Sequence, residues 1–250
     1  MKVSIITAVY NSRDTIEDSI RSVLDQKYEN IEYIVVDGGS SDGTVEIVKK
    51  YQERISKFTS EPDKGIYHAL NKGLEMATGD IVGFLHADDM YANSLVLDWI
   101  VSRIMNCNTD SCYGDLQYVY RKNTSKTLRY WKSCPYSRGL FKKGWMPPHP
   151  TFFVRKEVFD KYGHFNTDFK IAADYEHMLR VLEKKKISTY YIPEVLVKMR
   201  IGGKSNRGLK NLLMKSSEDY RAWKVNNLEG GLFTILLKNI SKLPQFFCNK

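Results

Sequence analysis

The first hundred residues alternate between short apolar runs and segments whose apolar residues recur at helical spacing. The runs at residues 2–9, 32–37 and 81–85 predict buried strands. The segments at 16–24 and 45–55 predict amphipathic helices. Strands that alternate with helices in this way predict an α/β fold, with a doubly wound, mostly parallel sheet flanked by helices.

Polar residues follow the predicted strands at their carboxyl ends. The run at 81–85 leads through His86 into two adjacent acids, Asp88 and Asp89. Ligands bind outside the carboxyl ends of strands in open α/β sheets, and carboxylates there suit a hard divalent cation that also binds phosphate oxygens. The two acids therefore predict a cation site, although they could instead cap the helix that begins near Ser94.

Another predicted strand ends at Asp37 and continues into a turn rich in glycine and hydroxyl residues. Glycine lets the backbone approach a ligand closely, and the Asp37 carboxylate can accept hydrogen bonds from a base or a ribose. Any tight connection could use the same turn residues, so both interpretations stay open. Tyr10 and Asn11 end the first strand, and Asp63 and Lys64 precede a short helix.

A second acidic cluster opens a predicted helix at residues 171–180. Asp174 lies in the first turn of this helix, where the helix dipole and the free amides stabilise a carboxylate anion. Asp174 is therefore either a plain helix cap or an ionised functional group.

Two loops flank this helix in the sequence. The proline-rich segment 144–155 leads into a strand, and its His149 is either functional or a structural histidine bonded to the backbone. Arg200 and Lys204 lie around two glycines and predict either a lid over a diphosphate or a simple mobile turn.

In their order along the chain, these motifs resemble those of family 2 glycosyltransferases over about residues 1–205. The resemblance implies a GT-A fold and an inverting enzyme that uses a nucleotide sugar. It implies a donor site made of Thr7, Ala8, Tyr10 and Asn11 along the nucleotide, Asp37 on the uracil, Asp63 and Lys64 on the side of the base or ribose, and Asp88 on the ribose.

The same resemblance makes Asp89 the ligand of a Mn2+ or Mg2+ ion, with Asp88 as the candidate for a second ligand. The chain departs from the commoner acid-x-acid pattern, because His86 occupies the position of the first acid. A chelate through residue 86 is therefore not expected, and we interpret His86 as structural.

Asp174 matches the general base of the family, which takes the proton of the acceptor hydroxyl. The segment that contains Trp145 and His149 resembles the acceptor side of the family, and Glu176 is expected to support the base or to bind the acceptor. Inversion needs a single in-line displacement, so one base and one cation suffice. The serines and cysteines form no recognisable arrangement for nucleophilic catalysis, and no covalent intermediate is expected.

We therefore predict a hexosyl- or N-acetylhexosaminyl-transferase that moves a sugar from a UDP-sugar to a carbohydrate hydroxyl. The resemblance suggests a lipid-linked precursor of a surface polysaccharide, such as O-antigen or capsule, as the acceptor. The alternatives are a sugar nucleotidyltransferase, which would release pyrophosphate rather than UDP, and a non-catalytic nucleotide-sugar-binding protein. A nucleic-acid-binding protein is disfavoured because the basic residues are scattered and no recognition motif accompanies them.

The length of 250 residues fits one catalytic domain with an appendage. We expect a GT-A domain over 1–205, with a nucleotide-binding half at 1–105 and an acceptor and catalytic half at 106–205. The four cysteines have no metal-ligand spacing and no signal peptide is recognised, so free thiols and a reducing, cytoplasmic location are expected.

Residues 206–250 predict a helical, amphipathic C-terminal extension whose apolar stripe is edged by lysines. The stripe falls short of the roughly 20 apolar residues that span a bilayer, but it suits a helix in the interface at the inner face of the plasma membrane. The alternatives are packing on its own domain or on a second subunit. The net charge of +9 favours an anionic partner, such as acidic lipid, a lipid-linked diphosphate or the donor itself.

Overall fold

The computed structural model describes residues 1–202 and 209–240. The strands of the described residues are β1 (Val3–Val9), β2 (Ile31–Asp37), β3 (Lys57–Ser60), β4 (Ile81–Phe84), β5 (Asp89–Tyr91), β6 (Ser111–Tyr120), β7 (Asn123–Trp131), β8 (Phe153–Arg155) and β9 (Thr189–Arg200). The helices are α1 (Ile16–Leu24), α2 (Thr44–Lys49), α3 (Ile66–Met76), α4 (Val96–Asn106), α5 (Lys156–Tyr162), α6 (Ala173–Met178), α7 (Leu209–Val225) and α8 (Leu232–Ile240). A π-helical segment, Leu179–Lys184, continues α6.

The first four strands follow the predicted parallel pattern. The order β3-β2-β1-β4 is parallel throughout, and every residue of β1 is buried. Strands covered by helices on both faces are near-continuous apolar runs, and this is the pattern that the sequence carries. The predicted fold class is confirmed.

The second half of the sheet is mixed. Its order continues β8-β6-β9-β5, with β7 on β6. Among the described strands of this half, only β6 and β9 form a parallel pair, whereas β8, β7 and β5 are antiparallel to their neighbours. Short connections explain the antiparallel β6–β7 pair, because parallel neighbours need a crossover of a dozen or more residues and only Arg121 and Lys122 join these strands.

Helices bury both faces of the sheet. α1, α2 and α4 cover one face, where Ile20, Val48 and Ile100 belong to the same buried cluster as Ile5 and Val35. α3, α5 and α6 cover the other face, together with α7 and α8. The carboxyl ends of the parallel strands therefore meet at one edge, beside α6.

At the opposite edge, where the parallel strands begin, lies a charged group that we call the Glu32 cluster (Lys2, Ser4, Glu32, Lys57 and Thr78). Glu32 accepts hydrogen bonds from Ser4 Oγ at 2.6 Å and from the Thr78 amide at 2.7 Å. The ammonium groups of Lys2 and Lys57 lie 3.1 and 3.0 Å from Glu32 Oε1. Burial raises the pKa of Glu32, but the hydrogen bonds from Ser4, Thr78 and Lys57 outweigh burial and hold the pKa well below its ordinary value.

The described part of the C-terminal extension packs on its own domain. Trp223 of α7 is buried, and its Nε1 donates to Tyr175 Oη at 3.0 Å. Lys238 of α8 is also buried and forms an ion pair of 2.7 Å with Asp219 of α7. The backbone of α8 also lies close to Gly144, which has a φ of +82°. A Cβ at residue 144 would be only 2.3 Å from the backbone nitrogen of Lys238. Lys238 therefore serves internal packing rather than edging an exposed stripe.

Membrane binding by the extension stays a prediction. Phe233 and Leu236 of α8 are more than half exposed, while the predicted stripe beyond residue 240 lies outside the described residues, as does the predicted domain boundary at 205 and 206. Within the described ranges, no helix is both long enough and apolar enough to cross a membrane.

Candidate active site

The loops after β1 and β2 carry several of the predicted nucleotide-binding residues. Tyr10 follows β1, and its side chain is 52% exposed. Asn11 adopts a φ of +49°; its amide donates to Ser40 Oγ at 2.8 Å, and its side-chain oxygen accepts from the Ser41 amide at 2.9 Å. These bonds tie the two loops together and leave Tyr10 at the surface of the edge.

Three other predicted donor-site residues, Thr7, Ala8 and Asp37, are buried. The Asp37 carboxylate accepts hydrogen bonds from the amides of Gly39 and Ser40 and from the hydroxyls of Ser40 and Ser60. Asp37 therefore organises the turn after β2. A ligand contact by Thr7 or Ala8 would have to use backbone atoms.

Asp63 lies at the same edge and is held by Lys72, whose Nζ is 2.9 Å from Asp63 Oδ1. Asp63 Oδ2 is buried and has no hydrogen-bond partner in the part of the chain that the structure describes. Gly38 lies close to both this oxygen and the Tyr10 ring, because a Cβ built on Gly38 would be 3.6 Å from each of them. The neighbouring Lys64 is exposed. An acceptor oxygen near an exposed aromatic ring suits a nucleoside.

The two adjacent acids lie in different surroundings. Asp89 is fully buried, and neither carboxylate oxygen has a hydrogen-bond partner among the described residues. Burial, and then the Asp88 charge, raises the pKa of Asp89 well above its ordinary value, against the opposing effect of Arg200. Asp88 is partly exposed, and its charge acts on His86, as does that of Asp174. Asp88 and Asp174 therefore both act on His86, whereas the Asp89 side chain is enclosed by the protein.

Arg200 supports the turn that carries these acids. Its guanidinium donates to the Asp88 carbonyl oxygen at 3.2 Å and forms an ion pair with Asp18 of α1. The residue is 4% exposed. Arg200 is thus held beneath the turn rather than in an open lid, and Lys204, the other predicted lid residue, lies outside the described residues.

Asp174 is partly exposed, whereas the other five residues of α6 are buried. Tyr67 Oη lies 2.7 Å from the Ile171 carbonyl oxygen and 3.1 Å from Asp174 Oδ1. His149 Nδ1 lies 3.3 Å from Asp174 Oδ2. Burial raises the pKa of Asp174, but the interaction with His149 and the charges of two lysines outweigh burial, so the pKa lies below its ordinary value. Asp174 is therefore ionised at neutral pH.

His86 and His149 extend this contact chain, and we call Tyr67, His86, His149 and Asp174 the Asp174 group. The two Nε2 atoms lie 3.3 Å apart. Burial lowers the pKa of His149 to about 4 against the Asp174 charge, and burial also lowers the pKa of His86. His149 therefore faces Asp174 with Nδ1 and His86 with Nε2, and one of the two rings donates an N–H to the other.

The two other predicted acceptor-site residues differ in exposure. Trp145 is partly exposed and stacks on Tyr136 with 5.7 Å between ring centroids. Glu176 is buried, lies 3.1 Å from the Arg180 guanidinium and accepts from Asn226 Nδ2 at 3.0 Å. Glu176 therefore anchors α6 internally, whereas Trp145 can contact a ligand.

Sequence reasoning missed Tyr67 and the contact between the two histidines. Tyr67 meets Asp174 across a separation of 107 residues, which no local spacing can signal. The unusual position of His86, in place of the commoner acid, was the one signal that the sequence offered.

Residues 4–163 match the family described as Glycosyl transferase family 2. The chain belongs to this family. It is 32% identical over 183 residues to an uncharacterised glycosyltransferase of Mycobacterium tuberculosis, over 71% of this chain and 68% of the relative. It is 47% identical over 92 residues to the putative teichuronic acid biosynthesis glycosyltransferase TuaG of Bacillus subtilis, over 36% of each chain. The structure of S. aureus TarS 1-349 in complex with UDP-GlcNAc has a TM-score of 0.69 at 19% identity, over 90% of this chain and 65% of that chain.

The family match shows that the protein is an enzyme, a glycosyltransferase, and it agrees with the GT-A type fold. The matched residues include the strand ends that carry Tyr10, Asp37 and Asp88, together with His149. They end before Asp174 and α7. The contacts of Asp174 therefore come from the geometry of this chain rather than from the match.

The GT-A resemblance implies a divalent cation beside the donor diphosphate. Among residues 1–202 and 209–240, no three His, Cys, Asp or Glu side chains converge into a metal site. A cation that also binds phosphate oxygens needs only one or two carboxylates, and the partly exposed Asp88 fits this requirement. Asp89, the predicted ligand, is buried, and its role in binding the cation stays a prediction.

Proposed function

We propose that this glycosyltransferase transfers a sugar, with inversion, from a UDP-sugar to a carbohydrate hydroxyl, with Asp174 as the general base. The setting of Asp174 carries this proposal: its side chain is 22% exposed, contacts Tyr67 and His149, and is ionised at neutral pH. The acceptor oxygen attacks the anomeric carbon, the bond from that carbon to UDP breaks, and the acceptor proton passes to Asp174. A positioned base of this kind contributes about 100-fold to 10,000-fold.

His149 holds the base in this step without neutralising it. Because its pKa is lowered to about 4, the ring is neutral at the pH of the cytoplasm. A neutral ring nitrogen at 3.3 Å packs against one carboxylate oxygen of Asp174 and leaves the anion able to take a proton.

We assign the cation, Mn2+ or Mg2+, to Asp88 rather than to Asp89. Asp88 is partly exposed and its charge acts on His86 of the Asp174 group, whereas the buried position of Asp89 does not favour exchange with a hydrated ion. When bound, the cation would stabilise negative charge on the diphosphate leaving group. Arg200 holds the Asp88 turn from below.

The nucleoside is proposed to bind at Tyr10, Asp63 and Lys64. The exposed Tyr10 ring can stack on the base, and the unpartnered Asp63 Oδ2 can accept a hydrogen bond from uracil or ribose. The UDP-GlcNAc complex of the structural neighbour supports UDP as the nucleotide. In this proposal Asp37 shapes the turn beneath the nucleoside.

The acceptor is proposed to be a lipid-linked precursor of a surface polysaccharide. The similarity to TuaG, named for teichuronic acid biosynthesis, supports a surface polysaccharide, and the partly exposed Trp145 can stack on a sugar ring. The net charge of +9 suits a lipid-linked diphosphate at the cytoplasmic face of the plasma membrane.

A thermal-shift screen tests the donor assignment first. The protein is heated with UDP, GDP, dTDP or CMP, each with and without Mn2+, because a ligand that binds the native state raises its stability. We expect stabilisation by UDP that requires Mn2+. No shift with any nucleotide would overturn the proposal, and release of pyrophosphate rather than UDP would instead indicate a nucleotidyltransferase.

A further inference from the structure

Glu218 of α7 binds three consecutive backbone amides ahead of α6. Its Oε1 accepts from the Lys170 amide at 2.9 Å, and its Oε2 accepts from the amides of Ile171 and Ala172 at 2.8 and 2.9 Å. Glu218 itself is buried. A carboxylate that accepts several amide hydrogen bonds also fixes the backbone that provides them.

The helix that carries Asp174 has no side-chain cap of its own. Its N-cap residue is Ala172, which offers no side-chain hydrogen bond. The first amides of a helix need partners outside the helix. Glu218 provides an acceptor for this segment from 46 residues further along the chain.

The backbone that Glu218 holds also determines where Asp174 lies. The Ile171 amide binds Glu218, while the Ile171 carbonyl oxygen lies 2.7 Å from Tyr67 Oη, which in turn lies 3.1 Å from Asp174. The Ala172 carbonyl oxygen accepts the Glu176 amide at 2.9 Å and so begins the helix. A shift of this segment would move Asp174 relative to Tyr67.

We propose that Glu218 is a positioning residue for the transfer reaction, which sets the Asp174 carboxylate against Tyr67 and His149 by binding the amides of residues 170–172. This inference rests on the proposed function, because it requires Asp174 to be the base. The α7 side chain of Trp223 contacts α6 differently, through the side chain of Tyr175. It provides a matched control for loosened packing.

The test compares Glu218→Gln with Trp223→Phe. Glutamine keeps the shape of Glu218 but replaces one accepting oxygen with an NH2 group that cannot accept an amide hydrogen bond. Released UDP is measured on UDP-Glc, UDP-Gal and UDP-GlcNAc with Mn2+, with water as the acceptor. We expect Glu218→Gln to lower kcat by about 10-fold to 100-fold, since small misplacements of reacting groups cost up to this much, with the donor KM unchanged.

The control should separate positioning from stability. Trp223→Phe removes the hydrogen bond to Tyr175 but leaves the Glu218 contacts, so kcat should stay near that of the wild type even where its Tm falls as far as that of Glu218→Gln. Equal kcat in the two variants, measured well below both Tm values, would overturn the positioning role. If Glu218→Gln does not fold, Glu218→Asp takes its place, and wild-type kcat in that variant would also overturn the proposal.

Asp174→Asn, assayed in parallel, distinguishes the two possible failures. An active Asp174→Asn would overturn the base assignment and this inference together. An inactive Asp174→Asn with a fully active Glu218→Gln would overturn only the inference.

Discussion

The two edges of the parallel part of the sheet differ in how their buried polar groups are satisfied. Where the strands begin, Glu32 is buried but receives hydrogen bonds from Ser4 and Thr78 and contacts two lysines. Where they end, Asp63 Oδ2 and both oxygens of Asp89 are buried without a partner among the described residues. An unsatisfied buried group costs about 1–3 kcal/mol. The first edge is arranged for stability, and the second carries groups that stability does not explain.

The pKa directions repeat this difference. The pKa of Glu32 is held well below its ordinary value, because its hydrogen-bond donors outweigh burial. The pKa of Asp89 is raised well above its ordinary value by burial and by Asp88. A buried carboxylate is therefore not a sign of function by itself; its partners decide what it does. Substitutions at the two edges should separate stability from activity.

Asp174→Asn should give the largest effect on activity. Loss of the base should lower kcat by about 100-fold to 10,000-fold, while Mn2+-dependent UDP binding is kept. The measurement is UDP release together with the UDP thermal shift. Asp168→Asn is the matched control because Asp168 is exposed nearby, and it should be fully active. Wild-type kcat in Asp174→Asn would contradict the base assignment.

The second largest expected effect is a difference in Mn2+-dependent UDP binding between Asp88→Ala and Asp89→Asn. Asp88→Ala removes the proposed ligand and should weaken Mn2+-dependent UDP binding by at least about 10-fold to 100-fold. Losing a residue that only supports a metal ligand already costs this much. Asp89→Asn should keep this binding, because its side chain is buried away from that site. Titration calorimetry with UDP and Mn2+ measures both, and the reverse ranking would return the metal to Asp89.

Glu32→Gln should affect stability rather than activity. We expect the free energy of unfolding to fall by about 1–3 kcal/mol, because the donors around residue 32 lose a fully accepting carboxylate. Urea unfolding measures the change, and kcat for UDP release should stay the same. Glu53→Gln, on an exposed segment, should leave stability unchanged. Lost activity with unchanged stability in Glu32→Gln would contradict the division between the two edges.

The smallest expected effect is the pH dependence of the difference in unfolding free energy between the wild type and Glu32→Gln. Because the folded pKa of Glu32 lies below its ordinary value of 4.5, its stabilisation is fully present well above pH 4.5 and is lost as the pH falls toward the folded pKa. The gap between wild type and Glu32→Gln should therefore narrow in urea unfolding between pH 5 and roughly pH 3. A gap that is constant over this range would show that the Glu32 charge is not its source.

Local patterns were sufficient for much of the fold and for part of the site. The predicted strand at 81–85 is β4, and Asp174 lies in the first turn of α6 as expected. Both follow from periodicity and helix-start chemistry, which act over a few residues. The difference between Asp88 and Asp89 could not be read in this way. Asp89 begins β5 and pairs with Met199 of β9, and this distant pairing turns its side chain inward.

The sequence by itself determined the alternation of strands and helices, the family and the acids at the strand ends, because each depends on residues close together in the chain. Only the tertiary structure decided that Asp88 rather than Asp89 is exposed, and that Tyr67, His149 and Glu218 surround Asp174 or its helix. The Glu218 and Tyr67 contacts span 46 and 107 residues. Such contacts form only when whole elements pack, so no local pattern encodes them.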